Sequence, residues 1–127
     1  MKITIIYDNT VYERGLEADW GFSCLVEVSR PVGIKILFDT GSDGLILLSN
    51  MKKLNIDPDS IAEIFISHAY FDHTGGLSAF LNENNDVKIY VPASFRGVHR
   101  DKEVISVRES IQMHENVFST GELEHIE

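Results

Sequence analysis

The stretch Ser67–Gly76, SHAYFDHTGG, decides the fold of this chain, because it gathers two histidines and an aspartate directly after an apolar run. His68, Asp72 and His73 follow Ile64-Phe65-Ile66, a run that is typical of a buried strand. Imidazoles and carboxylates are the side chains that zinc and similar divalent ions prefer. The stretch therefore predicts a metal site in the loop between a strand end and the next helix.

A simpler interpretation of the same residues is open. Asp72 could cap the helix that is expected from Thr74 onward, and the two histidines could be polar surface residues. For a single histidine this would be the better interpretation, whereas three such side chains at one strand end favour a metal site. Thr74-Gly75-Gly76 would let the backbone turn sharply into a helix whose first amides attract a nearby anion. This combination fits metal-assisted hydrolysis or group transfer.

Composition limits the classes of protein to consider. With 127 residues, 43% of them hydrophobic, the chain is expected to be a single domain over residues 1–127 with a real core. Eleven Lys and Arg against 20 Asp and Glu give a net charge of −9, which opposes nucleic acid and anionic membrane surfaces. No apolar run could span a bilayer and no cleavage signal follows the first residues, so we expect a soluble cytoplasmic protein.

The single cysteine cannot form an internal disulfide. Cys24 lies in an alternating run, on the same face as Phe22 and Val26. This pattern favours a buried thiol over a nucleophile.

Apolar periodicity predicts an α/β domain with a mixed sheet and flanking helices. The predicted strands are 3–7, 21–29, 34–38, 62–67 and 87–91, with shorter strand-like pieces around 103–107, 110–113 and 116–119. Strands 21–29 and 34–38 alternate cleanly and are expected to form an antiparallel hairpin. The predicted helices are 43–54, a short turn after Asp57-Pro58, and a segment from Thr74 onward. Chemistry in such folds lies at the carboxyl ends of the strands.

Several segments resemble one known family. SHAYFDHTGGL resembles the H-x-H-x-D-H signature of the metallo-β-lactamase fold superfamily and the T-G-G-L that follows it, and Leu37–Gly41, LFDTG, is similar to its strand-end segment. Within that superfamily, YDN at 7–9, DWGFS at 19–23 and FSTGEL at 118–123 resemble the dihydropterin synthase-like branch, which is linked to methanopterin-type cofactors. The resemblance implies the N-terminal half of an αββα sandwich.

The resemblance also implies roles for individual residues. His68 would bind a first metal, while Asp72 and His73 would bind a second, and Asp72 would also orient the attacking water as the catalytic residue. Asp39 and Tyr70 would lie behind these ligands, with Asp39 steadying the metal loop. An Asp that simply ends a strand before a glycine turn is an equally good interpretation of Asp39. The expected metal is zinc, with manganese or iron as alternatives, and the expected substrate is small and anionic.

The chain departs from the family pattern in two places. Tyr70 stands where a second His is expected, and a neutral phenol is a poor zinc ligand. The second half of the family fold would add a later His, a bridging Asp and a last His, and nothing after Gly121 corresponds to them. We interpret His99, His114 and His125 as ordinary surface histidines. The alternative to a site that binds a divalent metal is therefore a site that binds none.

Two functions remain open. The first is a metal-dependent hydrolase-like or synthase-like enzyme with metal-bound water as nucleophile, its activity weak or lost in so short a chain. The second is a non-catalytic binding or assembly module with a degenerate site. The alternation in 22–28 and 34–38 also predicts an apolar sheet face left bare on the side away from the helices. We therefore expect a homodimer or higher oligomer, or a separate partner chain that covers this face.

Overall fold

A computed structural model describes residues 1–11, 14–29, 33–96 and 102–123. These residues form a mixed sheet, a separate hairpin and flanking helices, which confirms the predicted α/β class. The strands are β1 (Lys2–Tyr7), β2 (Ser23–Val28), β3 (Ile34–Phe38), β4 (Glu63–Phe65), β5 (Lys88–Pro92), β6 (Glu103–Val107), β7 (Ile111–His114) and β8 (Val117–Ser119). The helices are α1 (Gly44–Lys53), α2 (Phe71–Thr74) and α3 (Leu77–Glu83), and Pro58–Ser60 forms a 3-10 turn.

The main sheet has the strand order β1-β2-β3-β4-β5-β6. The first three strands pair antiparallel, and the predicted hairpin is confirmed, with Cys24 opposite Phe38 and Val28 opposite Ile34. From β3 onward the strands are parallel, so β3, β4, β5 and β6 all end at one edge. Asp39 and the SHAYFDHTGG stretch follow β3 and β4 at that edge, which is where open α/β sheets carry their chemistry.

Helices α1 and α3 pack on one face of the sheet. Asp43 caps α1 by accepting hydrogen bonds from the amides of its first turn. Leu47 and Met51 of α1 are fully buried against Phe80 of α3 and Ile64 of β4. Each such side chain contributes about 1.5–3 kcal/mol through the apolar surface it removes from water. This layer holds the edge that carries the site.

The other face of the sheet carries an aromatic row. Phe38 and Phe65 stack with ring centroids 5.8 Å apart, and Phe65 and Tyr90 continue the row at 6.3 Å. Hairpin β7–β8 lies over this row, since Ser119 lines the same cleft as Phe65. The face expected to be bare is therefore covered in part. Ile3 and Ile5 at its far edge are 54% and 41% exposed.

His114 does not behave as the ordinary surface histidine that the sequence suggested. Its side chain is only 18% exposed, and its Nε2 lies 2.7 Å from the Oε1 of Glu63, which is buried on the sheet. This hydrogen bond connects hairpin β7–β8 to β4. His99 and His125, interpreted in the same way from the sequence, lie outside the described residues. No helix in the described part of the chain is both long and apolar enough to cross a membrane.

Candidate metal centre

Asp39 lies at the centre of the site, directly after β3. Its side chain is 0% exposed and its φ is +58°, a conformation that Asp tolerates better than most residues. The amide of Asp39 donates to the carbonyl oxygen of Phe65 at 2.9 Å, which ties the end of β3 to the end of β4. This turn directs the carboxylate toward the loop that follows β4.

The Asp39 carboxylate accepts three hydrogen bonds from that loop. The amide of Ser67 donates to Oδ1 at 2.7 Å, and the hydroxyl of Ser67 donates to Oδ2 at 2.6 Å. His73 donates from Nδ1 to Oδ2 at 2.7 Å. Because these bonds are partly buried and involve a carboxylate, they hold the loop in place.

This network sets the tautomers of both imidazoles. Ser67 gives its only hydroxyl proton to Asp39, so its Oγ accepts from the Nδ1 of His68, 2.7 Å away. His73 also carries its proton on Nδ1, because a carboxylate can only accept. In its neutral form each ring therefore has its lone pair on Nε2, which is the group that a metal binds.

Asp72 adds a carboxylate beside these rings. Its Oδ2 lies 3.5 Å from the Nε2 of His73, and the ring centroids of His68 and His73 are 4.2 Å apart. Two ligands bound tetrahedrally to zinc at about 2.0–2.1 Å would be about 3.3 Å apart. The spacing of His73 and Asp72 is thus close to what a zinc-like ion needs, and imidazole and carboxylate are ligand types that zinc accepts.

A second grouping is possible on distance alone. Ligand atoms of Asp39, His68 and His73 all lie within 4.8 Å of one another. However, both oxygens of Asp39 already accept hydrogen bonds from Ser67 and His73. Both oxygens of Asp39 are therefore occupied in holding the loop and the rings.

Backbone contacts hold α2 close to the loop after β3. The amide and the hydroxyl of Thr40 donate to the carbonyl oxygen of His73 at 2.7 and 3.0 Å. A Cβ on Gly76 would lie 2.2 Å from the Thr40 carbonyl oxygen, and one on Gly75 would lie 2.2 Å from that of Ser42. The helix expected from Thr74 onward begins instead at Leu77, and a separate short helix, α2, ends at Thr74. The two glycines between them lie at the close approach.

Asp72 does not cap this helix. The residue in the capping position is Tyr70, whose side chain makes no capping hydrogen bond. Tyr70 is 58% exposed, and its ring meets His68 edge to face at 4.8 Å. Tyr70 and His68 both line a cleft of about 800 Å³.

Cys24 lies near the site without taking part in it. Burial, together with the smaller effect of the Asp39 carboxylate, raises the pKa of its thiol to about 11. The predicted buried thiol is confirmed.

Sequence reasoning missed Ser67, which links Asp39 to His68. A serine before a histidine carries no signal of its own, because the link depends on the pairing of β3 with β4.

A comparison of the sequence with protein families agrees with the fold. A family model described as the metallo-beta-lactamase superfamily matches residues 22–114. The chain belongs to the metallo-beta-lactamase superfamily.

A relative of this superfamily member confirms the predicted branch. Over 89 residues the chain is 42% identical to 7,8-dihydropterin-6-methyl-4-(beta-D-ribofuranosyl)-aminobenzene-5'-phosphate synthase of Methanocaldococcus jannaschii. The match covers 68% of this chain and 30% of that protein. This superfamily member therefore spans less than a third of the length of that relative.

Solved metallo-beta-lactamases share the fold. SMB-1 superposes with a TM-score of 0.58 at 16% identity, covering 88% of this chain and 49% of that one. MIM-1 of Novosphingobium pentaromativorans has a TM-score of 0.54 at 22% identity, covering 74% and 41%. GOB-18 of Elizabethkingia meningoseptica has a TM-score of 0.52 at 24% identity, covering 74% and 42%. These shares fit the prediction of half a sandwich.

Proposed function

We propose that His68, Asp72 and His73 bind a divalent metal, with zinc the best fit and manganese or iron as alternatives. The observation that carries the proposal is the Asp39 network, which engages the Nδ1 of His73 directly and that of His68 through Ser67, so that each neutral ring offers its Nε2 to a metal. The Asp72 carboxylate lies 3.5 Å from the Nε2 of His73. Ordinary polar histidines on a surface would not need a buried carboxylate to set their tautomers.

We propose further that this centre serves a hydrolase-like or synthase-like reaction on a small anionic substrate. A bound divalent ion polarises a substrate oxygen and makes bound water more acidic. Asp72 has a side chain that is more exposed than that of His73, at 32% against 20%, so its carboxylate can both bind and orient a water molecule. Asp39 is buried away from substrate and would hold the rings while the reaction proceeds.

Zinc binding by the chain as it stands tests this proposal. After dialysis against zinc and removal of the excess, we expect about one ion per chain, and a loss of affinity of tenfold or more in His73→Ala. His114→Gln is the matched control, because its amide can still donate to Glu63 outside the site. A chain that retains no zinc, or a His73→Ala variant that retains as much as the unaltered chain, would overturn the proposal.

The second candidate is a non-catalytic binding module on the same half-fold. Tyr70 favours it, because an exposed phenol stands where a second ligand imidazole is expected. Tyr70→His separates the two candidates. Zinc bound only by the His variant would establish the degenerate site, while equal binding by both chains would support the first candidate.

We also propose that a second copy of the chain covers the exposed end of the aromatic sheet face. Ile3 and Ile5 support this, because they extend the apolar surface of Val26 and Cys24 to the sheet edge. Light scattering should then give the mass of a dimer, and Ile5→Lys should lower it. A monomer at all concentrations would contradict the proposal, and a monomer that recruits a different chain would point to the separate partner.

A further inference from the structure

Two large aromatic side chains are exposed on the surface at the start of α2. Trp20 is 72% exposed, and Phe71, the first residue of α2, is 68% exposed. Both line a cavity of about 520 Å³, which we call the Trp20 groove, together with Asp19, Ser42 and Asp43. None of these residues lines the cleft beside His68 or belongs to the candidate metal centre. The Trp20 groove is therefore a surface that the proposed function does not use.

The backbone that carries Trp20 is held by fixed contacts. The amide of Gly21 donates to the Oδ1 of Asn9 at 2.8 Å, and the amide of Phe22 donates to the carbonyl oxygen of Asp72 at 3.4 Å. Gly21 has a φ of +120°, and a Cβ there would overlap the same carbonyl oxygen. The loop therefore packs directly on α2 and needs glycine at this position. Binding in the groove should cost little ordering of the backbone.

Exposed aromatic rings on a fixed backbone are typical of an interaction surface. Tryptophan is enriched among the few side chains that carry most of the binding energy of protein interfaces. A large aromatic side chain buries roughly 150–250 Å² when it is covered. One exposed apolar side chain is ordinary, whereas two of the largest at one cavity indicate a place where another molecule binds.

The charge of the groove selects its occupant. The carboxylate of Asp19 accepts from the amide of Trp20 at 2.7 Å, and that of Asp43 accepts from the amide of Leu45 at 2.8 Å. Because these donors are uncharged amides, each carboxylate brings its full formal charge to the groove. The N-terminal end of α1 offsets about half a unit of it. None of the lining residues is cationic, and the chain as a whole carries a net charge of −9. The groove therefore attracts a cation.

A guanidinium group fits this combination of rings and carboxylates better than an ammonium group does. It is planar and weakly hydrated, so it can lie against an aromatic face while its N–H groups donate to carboxylates. The two rings are each more than two thirds exposed, so the groove cannot enclose a small molecule on its own. This openness favours a side chain that a larger molecule presents.

We propose that the Trp20 groove binds an arginine side chain of a partner protein. The guanidinium lies against the two aromatic rings, and its N–H groups donate to the two carboxylates. This interaction surface goes beyond the proposed function and does not depend on metal binding.

Trp20 is the only tryptophan of the chain, so its fluorescence reports on the groove directly. The probes are the blocked tripeptide glycyl-arginyl-glycine and the same peptide with citrulline, whose neutral urea has the shape of the guanidinium. Titration of the unaltered 127-residue chain should shift the emission of Trp20. The arginine peptide should bind at least about fivefold more tightly than the citrulline peptide, and added salt should reduce this preference.

Paired variants test the role of the two carboxylates. Asp19→Asn combined with Asp43→Asn keeps an acceptor oxygen for the amides, and asparagine caps a helix as well as aspartate does. This double variant should reduce the preference for arginine to about twofold or less. Asp57→Asn combined with Asp59→Asn is the matched control, because it removes the same charge from the 3-10 turn, outside the groove, and should leave the preference unchanged.

Equal affinity of the unaltered chain for the two peptides, or an emission that millimolar peptide leaves unchanged, would overturn the inference whether or not the variants fold. An equal effect of the two double variants would also overturn it. Emission that changes on dilution of the chain but not with peptide would place a second copy in the groove instead. Zinc-loaded and chelator-treated chains should show the same preference, so failure of the metal centre leaves this test intact.

Discussion

Replacing Asp39 with asparagine perturbs the network that orients both candidate ligands. The backbone should tolerate the change, because asparagine also adopts a φ of +58° readily. The amide, however, replaces one acceptor oxygen with a donor, which then faces either the amide of Ser67 or the donors at Oδ2. At least one of three partly buried hydrogen bonds to a carboxylate is lost.

The structure sets the size of the effect. A hydrogen bond to a charged group contributes about 1.5–3 kcal/mol, so we expect Asp39→Asn to lower the free energy of unfolding by about that amount. Zinc affinity should fall by about 10–100-fold, the usual result when a group that orients a metal ligand is altered. His73→Ala, which removes a ligand itself, should cost more.

Two assays measure these quantities separately. Urea unfolding in the presence of a chelator gives the stability, and competition with a chromophoric chelator gives the zinc affinity. Asp59→Asn is the control, because Asp59 is exposed on the 3-10 turn and its loss should change stability by less than about 0.5 kcal/mol. Unchanged zinc affinity in Asp39→Asn would refute the orienting role. A loss equal to that of His73→Ala would make Asp39 a ligand instead.

Three further predictions concern the scaffold and the buried thiol. Gly76→Ala should lower the free energy of unfolding by about 1–3 kcal/mol in urea, because the new Cβ would lie 2.2 Å from the Thr40 carbonyl oxygen; unchanged stability would show that α2 and the loop can separate. Phe80→Ala should cost about 3–5 kcal/mol in the same assay, and a loss below 1 kcal/mol would contradict its place in the core. With a pKa of about 11 against the ordinary 9.0, Cys24 should hold roughly a hundredfold less thiolate at pH 8, so the folded chain should react with a disulfide reagent at least that much more slowly than the unfolded chain. Because folding raises this pKa, its contribution to stability is complete below pH 9 and is lost as the pH rises toward 11, and reaction at the unfolded rate would contradict the burial.

Local sequence patterns were sufficient for much of the fold. Alternation in 21–29 and 34–38 predicts two strands, because successive side chains of a strand point to opposite faces of a sheet. The structure pairs these strands in a hairpin, with Cys24 opposite Phe38. The spacing of Leu47 and Met51 predicts α1 in the same way.

Features that depend on distant contacts could not be predicted. The break between α2 and α3 follows from the approach of Gly76 to Thr40, and the link from Asp39 through Ser67 to His68 follows from parallel pairing of β3 with β4. His114 and Glu63 are 51 residues apart, and no local pattern marks them as partners. The hydrogen bonds that orient His68 and His73 therefore could not be predicted from the sequence.

Zinc-edge X-ray absorption on the loaded chain tests the metal centre most directly. We predict a first coordination shell with two imidazole nitrogens and a carboxylate oxygen from the protein, at about 2.0–2.1 Å, and loss of one imidazole contribution in His73→Ala. An identical spectrum in His73→Ala, or a chain that holds no zinc after gel filtration, would contradict the assignment of His68, Asp72 and His73.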